Sequence, residues 1–252
     1  MTNSGPSLAE RLAYLGALSL PPEDEAPPQG EVRVQEDRPA GYVDDGSLVS
    51  FVAEVKGLAR QDVLDSALIA QLAANKAHPR EDDVIAWYHK YTEVLEYLCG
   101  WVIQGKEFSH WEAHSASFTV DKVIFEVLAA ILIGDDLTVA ESTVNAIRGL
   151  PKEDEKVKIF ESESSESHGG NFQIGLCSQM NDAVAMKLGA FYFSAGQEVT
   201  NFLWFNFSAS DATFYKGTRT MTFNQQAYAD VRQDIIEKLG ARRKAYLREL
   251  EI

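Results

Sequence analysis

VIFEVLAAILIG, Val123–Gly134, carries a single charge, Glu126. A helix built from it is apolar nearly all round, so it is buried on every side or sits in lipid. Asp121 is placed to cap its start and Gly134-Asp135-Asp136 to end it. Thr138 and Glu141 then form a capping box for a helix through Arg148, closed by Gly149-Leu150-Pro151. The spacing predicts a helical hairpin whose first arm must be covered by something.

The surrounding chain suggests what covers it. From Lys156 the apolar period switches to two. KVKIFESES, NFQIGLCSQ, VAMKLGAFYFSA, TNFLWFNFSA and ATFYKGTRTMTF read as five strands. Turn residues join them: His168-Gly169-Gly170, Asn181-Asp182, Gly196-Gln197 and Ser210-Asp211. Short joins predict antiparallel neighbours. FLWFNF is apolar at most positions, so it calls for cover on both faces.

Upstream, SLVSFVAEVKGLARQDVLDSALIAQLAANKA holds apolar residues near helical spacing: Val63, Leu64, Ala67, Leu68 and Leu72. His78-Pro79 breaks that helix. Asp82–Gln104 reads as its partner, with Ile85, Tyr88, Leu95, Leu98 and Val102 at three- and four-residue steps and Gly105 as a stop. Lys106–Val120 reads as extended. After Asn224 the spacing predicts one long helix with a basic end, Arg242, Arg243, Lys244 and Arg248, suited to the helix dipole.

The chain has 252 residues, 45% hydrophobic and 24% charged, with a net charge of −15. That charge disfavours nucleic acid and simple docking on anionic lipid. Two cysteines, Cys99 and Cys177, are too few for a disulfide framework and read as buried free thiols. No signal peptide is evident, so synthesis in a cytoplasm, with any release by a non-classical route, is the expectation. Six of the eight prolines and nine acidic against three basic residues fall in 1–45. This segment reads as a disordered, Pro-rich acidic tail or pro-segment. Ser7–Leu20 within it is a candidate short helix. Residues 46–252 read as one α/β (α+β) domain, an antiparallel sheet wrapped by two helical hairpins.

This order resembles the cytolytic delta-endotoxin (Cyt) family and its relatives, the volvatoxins and the Erwinia virulence factor. FTVDKVIFEVLAAILIGDDLTVAESTVNAI is similar to the family's second hairpin, and DVLDSALIAQLAANKAHPREDDVIAWYHKY to its first. EKVKIFESESSESHGGNFQIGLCSQMNDAVAMKLGAFYF and NFLWFNFSASDATFYKGTRTMTFN resemble its strands. The likeness spans roughly 60–225 and lies in the order of elements rather than in a signature motif. The long basic helix and the acidic tail depart from the family pattern.

The resemblance implies a membrane-active, cytolysin-like protein, pore-forming and homo-oligomeric on a lipid membrane, with no catalytic residue and no cofactor. Its hairpins would leave the sheet and its apolar side chains would meet lipid. Candidates are Val123, Ile124, Leu128, Ile131, Ile174, Leu176, Phe191, Phe193, Leu203, Phe205 and Phe207. Each such side chain contributes about 1.5–3 kcal/mol when buried. Trp204, Tyr192 and Tyr215 suit the interface. One branch of the wider fold group carries a lipid-modified cysteine, which makes Cys177 a candidate for acylation. All of these side chains equally suit a core.

Two alternatives stand beside this reading. A non-lytic binding or assembly protein on the same fold would use the N-terminal tail for docking. A metal-dependent enzyme would use His110, Glu112 and His114, which alternate along a strand with room left for water. The same imidazoles are candidates for a pH sensor. ESESSESHGG lacks a nucleophile elbow, and Gly169-Gly170 lacks the lysine of a phosphate loop.

Overall fold

β-Branched and aromatic residues in alternation draw the second half of the chain into a long antiparallel run, and the first half is folded over it. The structure, a computed structural model, describes residues 5–31, 33–79 and 83–252. In chain order come α1 (Leu8–Ala17), β1 (Ala40–Asp44), β2 (Ser47–Phe51), α2 (Gly57–Ala77) and α3 (Val84–Glu93). Next are β3 (Trp101–Trp111), β4 (Ser117–Thr119), α4 (Val120–Ile131), α5 (Asp135–Gly149), α6 (Glu155–Ser164) and β5 (Ser165–Glu166). The remainder is β6 (Gly169–Met180), β7 (Ala183–Ala195), β8 (Asn206–Ser208), β9 (Ala212–Phe223), α7 (Gln225–Ala229), α8 (Arg232–Leu239), α9 (Arg242–Tyr246) and β10 (Leu247–Leu250).

The main sheet runs β10-β1-β2-β6-β7-β9-β3, with β5 pairing to β6. Asn181 and Asp182 both take positive φ and make the tight β6–β7 turn. Helices α2 and α3 cover one face: Trp101 donates to Ser66 and Gln173 to Tyr88. Helices α4, α5 and α6 lie on the other, where α4 packs on β7 and Ser50 donates to Thr143 of α5. Two hairpins, α2–α3 and α4–α5, thus wrap a mixed α/β sheet, as the sequence suggests.

Several elements differ from their sequence reading. The sheet is not wholly antiparallel, because β2 runs parallel to β6, Ser47 opposite Gln173 and Phe51 opposite Cys177. SLVSF is this strand rather than the start of a helix. KVKIFESES is helix α6, whose Val157, Phe160 and Ser164 are buried at three- and four-residue steps. TNFLWFNFSA is a 3-10 turn, Phe202–Trp204, followed by the short β8 on β4. The α3 helix passes through a π-helical turn, Val94–Leu98, and stops before Gly100, which has φ +76°, so Trp101–Gln104 is strand. The start expected at Asp82 lies outside the described residues. Helix α5 begins at Asp135, not at Thr138, whose hydroxyl donates to Gly134 O. The C-terminal helix is three short helices and a strand, interrupted at Gly240 with φ +54°.

The domain boundary at 45/46 is also corrected. Ala40–Asp44 is wholly buried between β10 and β2. Upstream, Arg11 donates to Leu98 O and Ala227 O, and Leu15 and Leu18 are core. Arg242 donates to Pro21 O, Arg248 to Pro28 O, and the Gly30 N–H to Lys244 O. Pro21 and Pro28 lie outside any strand, so their carbonyls are open to the arginines of the C-terminal region. The described part of 1–45 is a strap, not a solvated linker.

Candidate functional site

The α4 cover is built from the stretch that opens the sequence. Val123, Ile124, Val127 and Leu128 are buried, while Lys122 and Glu126 stay at its margin. Opposite them, β7 presents Gly189, Phe191 and Phe193. A methyl group at Gly189 would stand 3.0 Å from the Phe191 ring and 3.4 Å from Val127 Cγ1, so glycine here makes room for that ring beneath the helix. Phe191 stacks on Phe172 at 4.9 Å and Phe193 on Phe214 at 5.1 Å. Phe202, Phe207 and Phe118 complete this aromatic layer beneath the helices.

Polar ties at the cover are few. Glu126 accepts from the Trp111 indole at 2.9 Å and from Lys216 at 3.1 Å. Burial alone would raise its carboxyl, but these bonds outweigh that and hold it below the usual range. Arg148 binds Asp121 at 2.6 Å and joins the two arms of the hairpin. On α6, Glu161 accepts from the Leu203 backbone N–H at 3.3 Å and so holds the 3-10 turn. Burial pushes its carboxyl up to about 7, against smaller opposing effects of that bond and of Lys152.

Of the membrane candidates, Val123, Ile124, Leu128, Ile174, Leu176, Phe191, Phe193, Leu203 and Phe207 are core; Ile131 and Phe205 are half-buried. The structure gathers most of them on the face under α4–α6. Trp204 is half-buried, with Lys152 5.6 Å over its ring. The basic C-terminal residues are clamps. Arg243 binds buried Asp65 through two bonds at 2.7 and 2.9 Å, and Arg232 binds Asp62 at 2.7 and 2.8 Å.

The proposed metal set does not assemble. β3 ends at Trp111, so Glu112 and His114 leave the alternation that would align them with His110. The His110 ring turns to Tyr215 and the His114 ring to Trp111, and among the described residues no three His, Cys, Asp or Glu side chains gather to hold a metal. Cys177 is a free thiol, wholly buried in β6, with its ionisation pushed up by burial. Acylation there requires the strand to be uncovered first.

One feature of the surface was not legible. Between α3 and strands β7, β9 and β3 lies an open groove of about 300 Å³ lined by Tyr88, Phe108, Tyr192, Tyr215 and Arg219. A break in the β3–β9 register between Lys106 and Ser109 turns Phe108 into it. No sequence period marks such a bulge.

No family model matches the sequence, and no curated protein does. Among solved structures the chain is similar to the Evf virulence factor, with a TM-score of 0.39 and 13% identity over 93% of this chain and 90% of that one. It is also similar to a delta-endotoxin, TM-score 0.35, 12% identity, over 81% and 90%. A third is the activated Cyt2Ba monomer from Bacillus thuringiensis subsp. israelensis, TM-score 0.29, 14% identity, over 54% and 77%. These belong to the group of proteins that the element order of the sequence resembles. Among the described residues no helix is long and apolar enough to cross a membrane.

Proposed function

We propose that this chain is a membrane-active, cytolysin-like protein whose helix-covered form stores the strands that enter lipid. The observation that carries this reading is a run of four adjacent antiparallel strands, β6-β7-β9-β3, of 12, 13, 12 and 11 residues. A strand of about 9–11 residues crosses a bilayer when tilted, so each is long enough. One face of this run carries the aromatic layer, and α4 seals it mainly by apolar packing, which lipid can replace.

Four strands do not close a barrel, for which about eight are needed. Open edges in lipid leave backbone groups unpaired at a cost of several kcal/mol each. Copies of the chain must therefore pool strands, which makes the membrane form a homo-oligomer. The reading uses no catalytic residue.

The test is dye release from zwitterionic and anionic liposomes at pH 5 and pH 7.5. Release that scales steeply with protein concentration supports pooled strands. Absence of release from every composition at both pH values ends the pore reading.

A further inference from the structure

Asp44 ends β1 with a fully buried side chain. Neither oxygen of its carboxyl group has a hydrogen-bond partner among the described residues. Its backbone carbonyl, by contrast, accepts from the Gln71 amide at 2.9 Å. Asp44 sits at the joint of three strands, opposite Leu247 of β10 and opposite Ser47 of β2. Here the N-terminal strap and the C-terminal strand are both fastened to the sheet.

The groups that face this carboxyl add negative charge and supply no cation for it. Along its own face of the β1–β10 pair lie Tyr42 and Glu249, in register with each other, and Glu249 pairs with Arg38 at 3.7 Å. In the turn, Asp45 is also fully buried and accepts from Asn75 at 3.3 Å. From α6, Ser164 donates to Gly46 O, and Glu163 lies beside Tyr246. Helix α2 brings Asp62 and Asp65, and α8 and α9 bring Arg232, Arg243 and Tyr246. Both arginines are engaged: Arg232 holds Asp62 and Arg243 holds Asp65, each through two bonds. Arg248 registers with Val43, so it points to the other face and binds Glu155 there. Burial pushes the hydroxyls of Tyr42 and Tyr246 up, so both stay neutral.

A carboxylate with no counter-charge takes up a proton rather than remain ionised in such a place. Burial, and then the charges of Asp45 and Asp65, push Asp44 well above its ordinary value of 3.8. Leucine has nearly the same shape and would fill the position without a polar cost. The acid differs in one respect: its neutrality depends on pH. Once ionised it is a bare charge among carboxylates, and the way to water is past β10, the last strand of the sheet.

We propose that Asp44 is a proton-held latch: with its proton the β10-β1-β2 clasp stays closed, and loss of that proton swings β1 and β10 off β2, freeing the strap and the C-terminal strand together. Strands β6, β7, β9 and β3 keep their own pairing. The latch works whether or not those strands enter lipid.

The sign follows from linkage. Above 3.8 the opened carboxyl is ionised while the closed one keeps its proton. Closure therefore weakens as pH rises and levels off past the closed-state value. One proton sets the steepest slope, about tenfold per pH unit.

Hydrogen exchange read by mass spectrometry tests this on the full chain, from pH 5 to pH 9, with rates corrected for intrinsic base catalysis. Peptides covering β1 and β10 should lose protection by up to about tenfold per pH unit, while β7 peptides keep theirs. Asp44→Asn should abolish the slope in β1 and β10. Asp44→Leu should do the same, which keeps the test valid if the amide variant fails to fold. Glu161 titrates in this range too, but it lies on α6 and its effect remains in both variants. A flat profile for β1 and β10 in the parent, an unchanged slope in folded Asp44→Asn or Asp44→Leu, or loss of protection in β7 in step with β1 would overturn the proposal. So would protection at fixed pH that follows the sodium, potassium or calcium content of the buffer, since a bound cation would then neutralise the site in place of the proton.

Discussion

The Trp111 indole N–H donates to Glu126 Oε2 at 2.9 Å, and so ties the most apolar helix of the chain to its edge strand β3. The one charge in Val123–Gly134 lies at the margin of the helix and joins it to β3 and, through Lys216, to β9.

Glu126→Ala should lower unfolding free energy by about 1 kcal/mol, a modest value because the ion pair is partly exposed. The folded carboxyl lies below its ordinary value of 4.5. Its contribution is therefore present above that value and is lost as pH falls through the lower, folded value. Urea unfolding at pH 7 and pH 3 checks this: the difference between parent and variant should shrink in acid.

Glu161 should act with the opposite sign. Burial raises it from 4.5 to about 7. Between those values the unfolded carboxyl is ionised while the folded one holds its proton, so stability falls as pH rises and levels off above about 7. Glu161→Gln keeps an acceptor for the Leu203 N–H. Thermal melts from pH 4.5 to 7.5 should show a flatter profile for the variant.

Arg60 is fully buried and donates to the carbonyls of Val55, Gln35, Arg38 and Val52 at 2.6–2.9 Å. It binds the strap to the β2–α2 connection. Arg60→Met removes these bonds and leaves buried acceptors unmet, at a cost of about 3 kcal/mol or more. Denaturant midpoints measure it; a change under 1 kcal/mol would show that water replaces the guanidinium.

Truncation separates the strap from the sheet. A chain beginning at Asp45 lacks β1, which pairs with both β2 and β10. It should fail to fold, seen as loss of near-ultraviolet dichroism. A chain beginning at Leu20 loses only α1 and should fold with a lower Tm, because Leu15, Leu18 and the Arg11 bonds are removed.

What the sequence makes legible follows from length and period. β6, β7 and β9 are long, rich in aromatic and β-branched residues, and bounded by turn residues, so they declare themselves even where both faces are covered. α4 declares itself by its run of apolar residues. β1, β2 and β10 have five, five and four residues and no alternation in burial, being covered on both faces. In α6, the alternation Lys156-Val157-Lys158-Ile159 mimics a strand period, and only tertiary packing reveals the helical one. The groove is less legible still, since Tyr88, Phe108, Tyr192 and Tyr215 come from one helix and three strands that no local pattern connects. His110, Glu112 and His114 mislead because a strand period was extended past the true end of the strand.

The central claim is that α4 must leave β7 before lipid is entered, and a reversible tether tests it directly. Val127→Cys with Gly189→Cys places two thiols where a Cβ at 189 already stands 3.4 Å from Val127 Cγ1. The Phe191 ring, buried and 3.0 Å from that Cβ, must give by a few tenths of an ångström, so the reduced pair is the control for folding. Dye release would be followed with the pair oxidised and after reduction. Silence when oxidised, with release restored by the reductant, is the predicted result. Equal release in both states would contradict the account.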